Sequence, residues 1–188
     1  LTIQQQILAF ALYLQHQPEI QNHSITPITL QGKVDFKNVT FTYDDTNITA
    51  LKKVTFSAEA GETVAILGKT GAGKSTIIEL IARLYDAKEG SILMDGNPIG
   101  TINLNDLRNQ IGFVPQDPFL FSESISSNIK FGKEDATEEE IRQAAKDAVV
   151  HENIIDFPKG YETVLGERGV TLSGGQKQRV SIARAIIK

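Results

Sequence analysis

Apolar and polar residues alternate in two stretches of the first third of the chain. The apolar positions are Val34, Phe36, Val39, Phe41 and Tyr43 in the first stretch and Val54, Phe56 and Ala58 in the second. Alternation with a period of two is typical of half-buried β-strands, and a slip in phase near Asn38 predicts a β-bulge. Because residues 44–47 have the composition of a turn, the two stretches predict an antiparallel sheet.

The pattern changes after Gly61, where residues 63–67 form a continuous apolar and β-branched run. Such a run is typical of a strand covered on both faces. A helical stripe follows it, formed by Ile77, Ile78, Leu80, Ile81 and Leu84. A strand, a glycine-rich loop and a helix in this order predict an α/β unit. Further short strands are predicted at residues 91–94 and 111–114.

The second half of the sequence is predicted to be mainly helical. Thr137 and the three Glu residues after it form a capping box that opens a helix extending to about Val150. Ser173 precedes a second helix that continues to the end of the sequence. The apolar stripe of this last helix consists of Val180, Ala183, Ile186 and Ile187.

The first 24 residues differ from the rest of the chain. Their apolar residues recur at helical spacing, and the polar stretch at 21–29 is typical of a linker, which places the domain boundary near Ile25. The apolar run is too short to span a bilayer, so it is either a surface helix or the end of a longer one. Because the sequence starts at Leu1 and the last helix reaches Lys188 without a stop signal, we expect a piece of a longer chain.

Composition limits the possible chemistry. The 188 residues are 40% apolar and 22% charged, which is typical of a folded globular domain and not of a disordered chain. There is no Cys, which excludes disulfides, thiolate metal ligands and cysteine catalysis. The formal net charge of −4 argues against a broad nucleic-acid surface, so we expect no nucleic-acid partner.

Residues 68–75, GKTGAGKS, match G-x-x-x-x-G-K-S/T at every fixed position and are called the P-loop below. Glycines allow the backbone to curl so that its N–H groups face phosphate oxygens at the positive end of the following helix. Lys74 adds a charge for the β- and γ-phosphates, and the Ser75 hydroxyl is suited to bind Mg²⁺. The predicted nucleotide-binding residues are Gly68, Lys69, Thr70, Gly71, Ala72, Gly73, Lys74, Ser75 and Thr76.

Residues 172–176, LSGGQ, form a second glycine-containing helix start, called the signature segment below. This segment resembles the signature of ATP-binding cassette (ABC) ATPases, which caps the γ-phosphate of ATP held by a partner domain. The resemblance covers nearly the whole chain and implies an α/β P-loop NTPase core of RecA type, with an N-terminal antiparallel β-subdomain and a helical subdomain at about 118–172. It also assigns nucleotide binding to Ser173, Gly174, Gly175 and Gln176.

Two further positions resemble landmarks of the family. Tyr43 stands 25 residues before Gly68, where the family has an aromatic residue that stacks on adenine. Gln116 stands 42 residues after Lys74 and resembles the glutamine that binds Mg²⁺ and links the domain to a transport domain. The catalytic set that the resemblance implies is therefore Lys74, Gln116 and Ser173, with ATP and Mg²⁺ as cofactors and Ser75 and Gln116 as metal ligands.

Several stretches look like those of exporter-type ABC proteins: residues 117–121, residues 166–169 and Tyr85. The resemblance implies that residues 1–24 are the end of a last transmembrane helix and a linker, and that residues 25–188 belong to the cassette. The implied partners are transmembrane domains and a second nucleotide-binding domain, in a homodimer or a heterodimer. Mg-ATP would then drive head-to-tail pairing and export, on the cytoplasmic side of the cell membrane.

The family also needs an Asp-Glu pair after an apolar strand and a later His. The apolar run that ends in Asp95 is followed by Gly96 and precedes Gln116, and all three His residues precede the signature segment. The general base is thus absent from these 188 residues, and we expect no hydrolysis by this chain alone. Two alternatives stay open, a soluble non-transporter ABC ATPase and a nucleotide-binding fragment without hydrolytic activity.

Overall fold

The computed structural model describes residues 20–22, 24–166 and 172–188. The chain divides into two compact units, one ending at Leu107 and one running from Arg108 to Lys188. The predicted N-terminal helix, and all but Gly166 of the exporter-like stretch 166–169, lie outside the described residues. No helix in the described part of the chain combines the length and apolar character needed to cross a membrane.

The first unit is built on a four-stranded antiparallel sheet. Its strands are β1 (Val34–Thr42), β2 (Thr49–Ala58), β3 (Glu89–Met94) and β4 (Asn97–Pro98), in the spatial order β2-β1-β3-β4. Turns at residues 44–46 and at Asp95-Gly96 connect neighbouring strands, and both residues of the second turn have positive φ angles. The antiparallel pairing predicted from the two alternating stretches is confirmed.

The register of β1 on β2 confirms the predicted bulge. Phe36 lies opposite Phe56, whereas Val39 lies opposite Val54, so β1 contains one extra residue between the two pairs. Asn38 occupies this position with a φ of 51°, a left-handed conformation that Asn tolerates better than most residues. The bulge resets the alternation so that Phe36 and Val39 are both buried.

The described part of the first unit also contains α1 (Lys74–Ile81) and the start of α2 (Leu104–Asn109), with a 3-10 turn at Ile99–Thr101 before α2. Ile77 and Leu80 of the predicted stripe are buried, but Ile78 and Leu84 are exposed. The buried apolar residues of this unit are Val34, Phe36, Val39, Phe41, Leu51, Ile77, Leu80, Ala82, Ile92, Met94, Ile99, Ile102, Leu104 and Leu107.

Two predicted strands are wrong. Residues 63–67 and 111–114 belong to no sheet, and residues 63–67 are all exposed, with Leu67 at 91%. A strand is defined by ladder hydrogen bonds to a neighbour, and no described strand lies alongside either segment. An apolar run predicts a covered strand only if neighbouring strands pair with it, and the run itself does not specify those neighbours.

The predicted linker is hydrogen-bonded along the first unit. The Asn22 side chain accepts a bond from the Leu104 backbone N–H at 3.0 Å, at the start of α2. The Ile28 N–H donates to Asp106 at 3.0 Å, and the Asp95 carboxylate accepts bonds from three successive backbone N–H groups of residues 31–33. These contacts fix the chain that leads into β1.

The described residues of the second unit form four α-helices, α3 (Ile125–Lys130), α4 (Glu138–Asp147), α5 (His151–Ile155) and α6 (Gly174–Ile186), and a 3-10 turn at Gly160–Glu162. The capping box of Thr137 and Glu140 is confirmed. However, α4 ends at Asp147, not at about Val150, because Val149 adopts a left-handed φ of 54° that stops the helix. Helices α3, α4, α5 and α6 enclose one apolar core, and Ile186 of the predicted stripe is exposed.

Candidate nucleotide-binding site

The P-loop leads directly into α1. Gly71 and Gly73 have φ angles of 79° and 80°, and Gly73 occupies the N-cap of the helix. A Cβ on Gly73 would lie 2.5 Å from the carbonyl oxygen of Ala50, so only Gly fits there. No side chain caps the start of α1, which leaves the first backbone N–H groups of the helix available to an anion.

Lys74 folds back over this loop. Its Nζ donates to the carbonyl oxygens of Gly68 and Lys69, at 2.8 Å each. Residues 61–72 and Ser75 are exposed, so the loop, the ammonium group and the hydroxyl predicted to bind Mg²⁺ all face solvent. A triphosphate needs backbone N–H donors and positive charge, and this site offers a tight glycine turn, an uncapped helix start and a nearby ammonium group. The residues present therefore fit the predicted ligand, ATP.

Tyr43 lies beside the helix that the P-loop opens. Its hydroxyl is 2.9 Å from Thr76 Oγ1 and donates to Glu79 Oε2 at 3.0 Å. Its ring contacts Phe41 and Tyr85 nearly at right angles, with centroid distances of 4.9 and 5.4 Å. The structure thus brings together two predicted nucleotide-binding residues, Tyr43 and Thr76, which are 33 positions apart.

The surroundings of Tyr43 favour its neutral form. Desolvation raises the pKa of the phenol, the hydrogen bond with Thr76 lowers it, and the negative charge of Glu79 raises it, with a net increase. The phenol therefore stays protonated at neutral pH and can donate to Glu79. Sequence reasoning missed Glu79, although its position three residues after Thr76 on one helix face could have suggested it.

Gln116 belongs to the second unit, where it is exposed. The carbonyl oxygen of the preceding Pro115 accepts a bond from Gln178 Nε2 of α6 at 3.4 Å. A Cβ on Gly112 would lie 2.6 Å from the carbonyl oxygen of Ala185, also on α6. The segment that carries Gln116 therefore runs close along the helix that the signature segment opens.

The signature segment forms the start of α6. Ser173 is its N-cap, and its side chain accepts a bond from the Gln176 N–H at 3.2 Å while Gln176 Oε1 accepts from the Ser173 N–H at 2.9 Å. Sequence reasoning identified the N-cap but missed this capping box. Gly174 and Gly175 are exposed, and a Cβ on Gly174 would meet nothing within 4 Å. The helix start is thus open to a ligand from outside.

No group of three or more His, Asp or Glu side chains forms a metal site within the described residues. The predicted Mg²⁺ ligands are Ser75 in the first unit and Gln116 in the second. Mg²⁺ commonly binds through few protein ligands, with phosphate oxygens and water completing its shell. Both assignments, like the contact of Ser173 with a γ-phosphate, stay predictions.

The second unit also exposes three phenylalanines, which we call the aromatic patch: Phe119, Phe121 and Phe131. Phe119 and Phe131 are 65% and 67% exposed, and Phe121 lies between them at centroid distances of 5.1 and 4.8 Å. The Arg184 guanidinium of α6 lies 5.7 and 5.6 Å from the ring centroids of Phe121 and Phe131. Sequence reasoning noted residues 117–121 but missed Phe131 and Arg184.

Buried Asn128 connects Arg184 to this patch. Its Oδ1 accepts bonds from the Phe121 N–H at 2.8 Å and from Arg184 Nη2 at 2.9 Å. Its Nδ2 donates to the carbonyl oxygens of Phe121 and Ser124, both at 3.0 Å. Arg184 also donates to the backbone carbonyls of Asn128 and Phe119, and burial lowers the pKa of its guanidinium.

Comparison with known proteins decides the family. The family model described as ABC transporter matches residues 51–188. The chain belongs to the ABC transporter family. Members of this family bind ATP, and ATP hydrolysis coupled to transport is the activity of the family. Membership confirms the predicted α/β P-loop NTPase fold.

ABC proteins of bacteria and animals are similar to this chain. This chain is 54% identical over 159 residues to the putative multidrug export ATP-binding/permease protein YgaD of Bacillus subtilis (strain 168). The aligned region covers 85% of this chain and 27% of that protein. This chain is also 44% identical over 176 residues to ATP-binding cassette sub-family B member 5 of Homo sapiens, and that aligned region covers 92% of this chain and 14% of that protein.

A solved ABC structure shares the fold. The structure of a bacterial Atm1-family ABC exporter with ATP bound superposes with a TM-score of 0.84 at 41% identity, covering 99% of this chain and 33% of that one. The chain thus spans about a third or less of the relatives it matches.

Proposed function

We propose that this chain is the ATP-binding part of an exporter-type ABC transporter. The observation that carries the proposal is the P-loop, where the left-handed Gly73 directs the chain into the uncapped start of α1 and Lys74 lies over the loop. Backbone donors at a helix start with one positive charge beside them are what a triphosphate needs, and this supports the proposal. The name of the similar YgaD protein supports the exporter assignment.

Each predicted residue has a distinct role in this proposal. Lys74 and the backbone N–H groups of residues 68–76 bind the β- and γ-phosphates, and the ring of Tyr43 stacks on adenine. Ser75 holds Mg²⁺ in the first unit, and the bound ion would neutralise part of the phosphate charge, while Gln116 stays a predicted ligand in the second unit. The exposure of the P-loop and of Ser75 leaves this site open to a nucleotide from solvent.

The signature segment acts on the nucleotide of a second cassette. The exposed glycines at the start of α6 leave room for a phosphate, and the positive end of the helix favours it. Two cassettes, identical or different, therefore close head to tail on two ATP molecules. In each composite site, one cassette supplies the P-loop and the other supplies residues 173–176.

The aromatic patch is the surface on which the transmembrane domains dock. Contiguous exposed aromatic rings are typical of interaction sites, since they cover a large area with few rotatable bonds. The relatives named ATP-binding/permease proteins carry both functions in one chain, which supports a transmembrane partner for the patch. In this proposal the chain lies at the cytoplasmic side of a cell membrane.

We also propose that these 188 residues bind ATP without hydrolysing it. No Asp-Glu pair follows an apolar run here, and the three His residues precede the signature segment. The P-loop and signature residues can position a triphosphate and offset its charge, but none of these residues is a general base that could activate the attacking water.

Calorimetric titration with Mg-ATP tests the assignment of the P-loop. Lys74→Ala should weaken ATP binding at least roughly tenfold, because it removes the ammonium group from the phosphates. Lys52→Ala is the matched control, since Lys52 is an exposed lysine of β2 in the same unit. Equal ATP affinities for the two variants would show that the nucleotide does not bind at the P-loop.

A further inference from the structure

The phenol of Tyr43 is the middle member of a chain of three hydrogen-bonding groups. It donates to Glu79 Oε2 at 3.0 Å and lies 2.9 Å from Thr76 Oγ1. A phenol has a single proton, and that proton is used towards Glu79, so the Thr76 hydroxyl must donate to the phenol oxygen. The bonds therefore run from Thr76 through Tyr43 to Glu79, and each strengthens the next.

Both anchors of the phenol belong to the helix that the P-loop opens. Thr76 and Glu79 are three residues apart on one face of α1, which begins at Lys74. Thr76 is buried and Glu79 is half-buried, so neither anchor is a freely moving surface group. The tip of the Tyr43 side chain is thus fixed to α1, while its ring is held by the aromatic contacts described above.

We infer that Glu79 is a positioning residue for nucleotide binding, which acts through Tyr43 to hold the adenine-stacking ring at a fixed distance from the phosphate loop. The inference rests on the proposed function, because it requires adenine to stack on Tyr43. A ring that is already fixed loses less conformational freedom when the nucleotide binds. Glu79 itself makes no contact with the nucleotide.

The first test compares Mg-ATP with inorganic pyrophosphate by calorimetry on the 188-residue chain. Glu79→Ala should weaken ATP binding roughly fivefold to tenfold, because a ring that is no longer fixed must be ordered when the nucleotide binds. Pyrophosphate binding should change less than about twofold, because pyrophosphate does not use the ring. Glu79→Gln keeps an oxygen acceptor for the phenol and should recover most of the ATP affinity.

A matched control tests whether the effect of Glu79→Ala depends on the position of Glu79 or only on the net charge of the chain. Glu89 is an exposed glutamate of β3 in the same unit, and Glu89→Ala makes the same change in net charge. This control should bind ATP like the unaltered chain. A loss of ATP affinity in Glu89→Ala as large as in Glu79→Ala would assign the effect to net charge and overturn the inference.

A double-mutant cycle tests whether Glu79 acts through the phenol. Tyr43→Phe keeps the ring but removes the hydroxyl, so it should lower ATP affinity about as much as Glu79→Ala does. Adding Glu79→Ala to Tyr43→Phe should then have no further effect, since the bond is already absent. Additive losses would mean that Glu79 acts by another route and would overturn the inference.

The outcome with Tyr43→Ala distinguishes this inference from the proposed function. If Tyr43→Ala leaves ATP affinity unchanged, adenine does not stack on Tyr43, and both the stacking role and the inference fail. If Tyr43→Ala weakens ATP binding but Glu79→Ala does not, only the inference fails. Tighter ATP binding by Glu79→Ala would also overturn it, because Glu79 would then hold the ring away from adenine.

Discussion

Replacing Asn128 with Ala removes the side chain that ties the aromatic patch to α6. Asn128 is fully buried, and its amide makes four hydrogen bonds of 2.8–3.0 Å, with backbone groups of Phe121 and Ser124 and with the Arg184 guanidinium. The truncation leaves the Phe121 N–H and C=O groups without these partners.

The magnitude follows from the kinds of bond that are lost. A neutral hydrogen bond contributes about 1 kcal/mol net, and a bond to a charged group contributes about 1.5–3 kcal/mol. The Ser124 carbonyl keeps its bond from the Asn128 backbone N–H, and Arg184 keeps its bonds to two backbone carbonyls, so part of the loss is recovered. We therefore expect the free energy of unfolding to fall by about 3–4 kcal/mol.

Urea unfolding followed by circular dichroism at the helix band measures this loss, since the chain contains no Trp for fluorescence. Asn105→Ala, on an exposed face of α2, is the control and should change the free energy of unfolding by less than about 0.5 kcal/mol. A loss of under about 1 kcal/mol for Asn128→Ala would refute the reasoning, because the network would then contribute little to stability.

Four other predictions follow from the structure. Gly73→Ala should abolish ATP binding in a calorimetric titration, because its Cβ would lie 2.5 Å from the Ala50 carbonyl oxygen. The control is Gly61→Ala, which should bind ATP normally, since Gly61 has a similar φ but a Cβ there would meet nothing within 4 Å. Val149→Gly should raise the free energy of unfolding by about 1 kcal/mol in urea, since it relieves an exposed β-branched residue from a left-handed φ of 54°. Partial desolvation raises the pKa of Asp95, but its bonds from three backbone N–H groups outweigh this and lower it. The stability that Asp95 contributes is therefore present above about pH 4 and is lost as pH falls through its lower folded pKa. The free energy of unfolding should consequently change less between pH 7 and pH 3 in Asp95→Asn than in the unaltered chain. A phosphate-release assay with Mg-ATP should show no turnover by the chain alone; turnover that Lys74→Ala removes would mean that a general base was overlooked.

Local patterns in the sequence predicted the local structure well. The alternation in β1 and β2, the bulge at Asn38 and the capping box of Thr137 each depend on residues a few positions apart. The P-loop is of the same kind, since its fixed glycines and the start of α1 are adjacent in the chain. Such features can be read from the sequence because their physical causes lie within one segment.

Features that depend on distant residues could not be predicted in this way. The apolar run at 63–67 indicated a covered strand, yet a strand also needs neighbours, and none pairs with it in the described part of the chain. The bonds of Asn128 to Arg184 and of Tyr43 to Glu79 join residues 56 and 36 positions apart. The end of α4 at Asp147 was missed because Val149 is an unusual residue for a left-handed position.

The central claim is that ATP closes two of these cassettes head to tail, and the absence of Cys allows a direct test by disulfide trapping. One copy would carry Thr70→Cys in the exposed P-loop and the other Gly174→Cys, where a side chain meets nothing within 4 Å.

We expect a cross-linked heterodimer on a non-reducing gel with Mg-ATP, and none without nucleotide or with Lys74→Ala added to the Thr70→Cys copy. Gln143→Cys, on an exposed face of α4, replaces Gly174→Cys as the control. Equal cross-linking without ATP, equal cross-linking through Gln143→Cys, or none with Mg-ATP would contradict the claim.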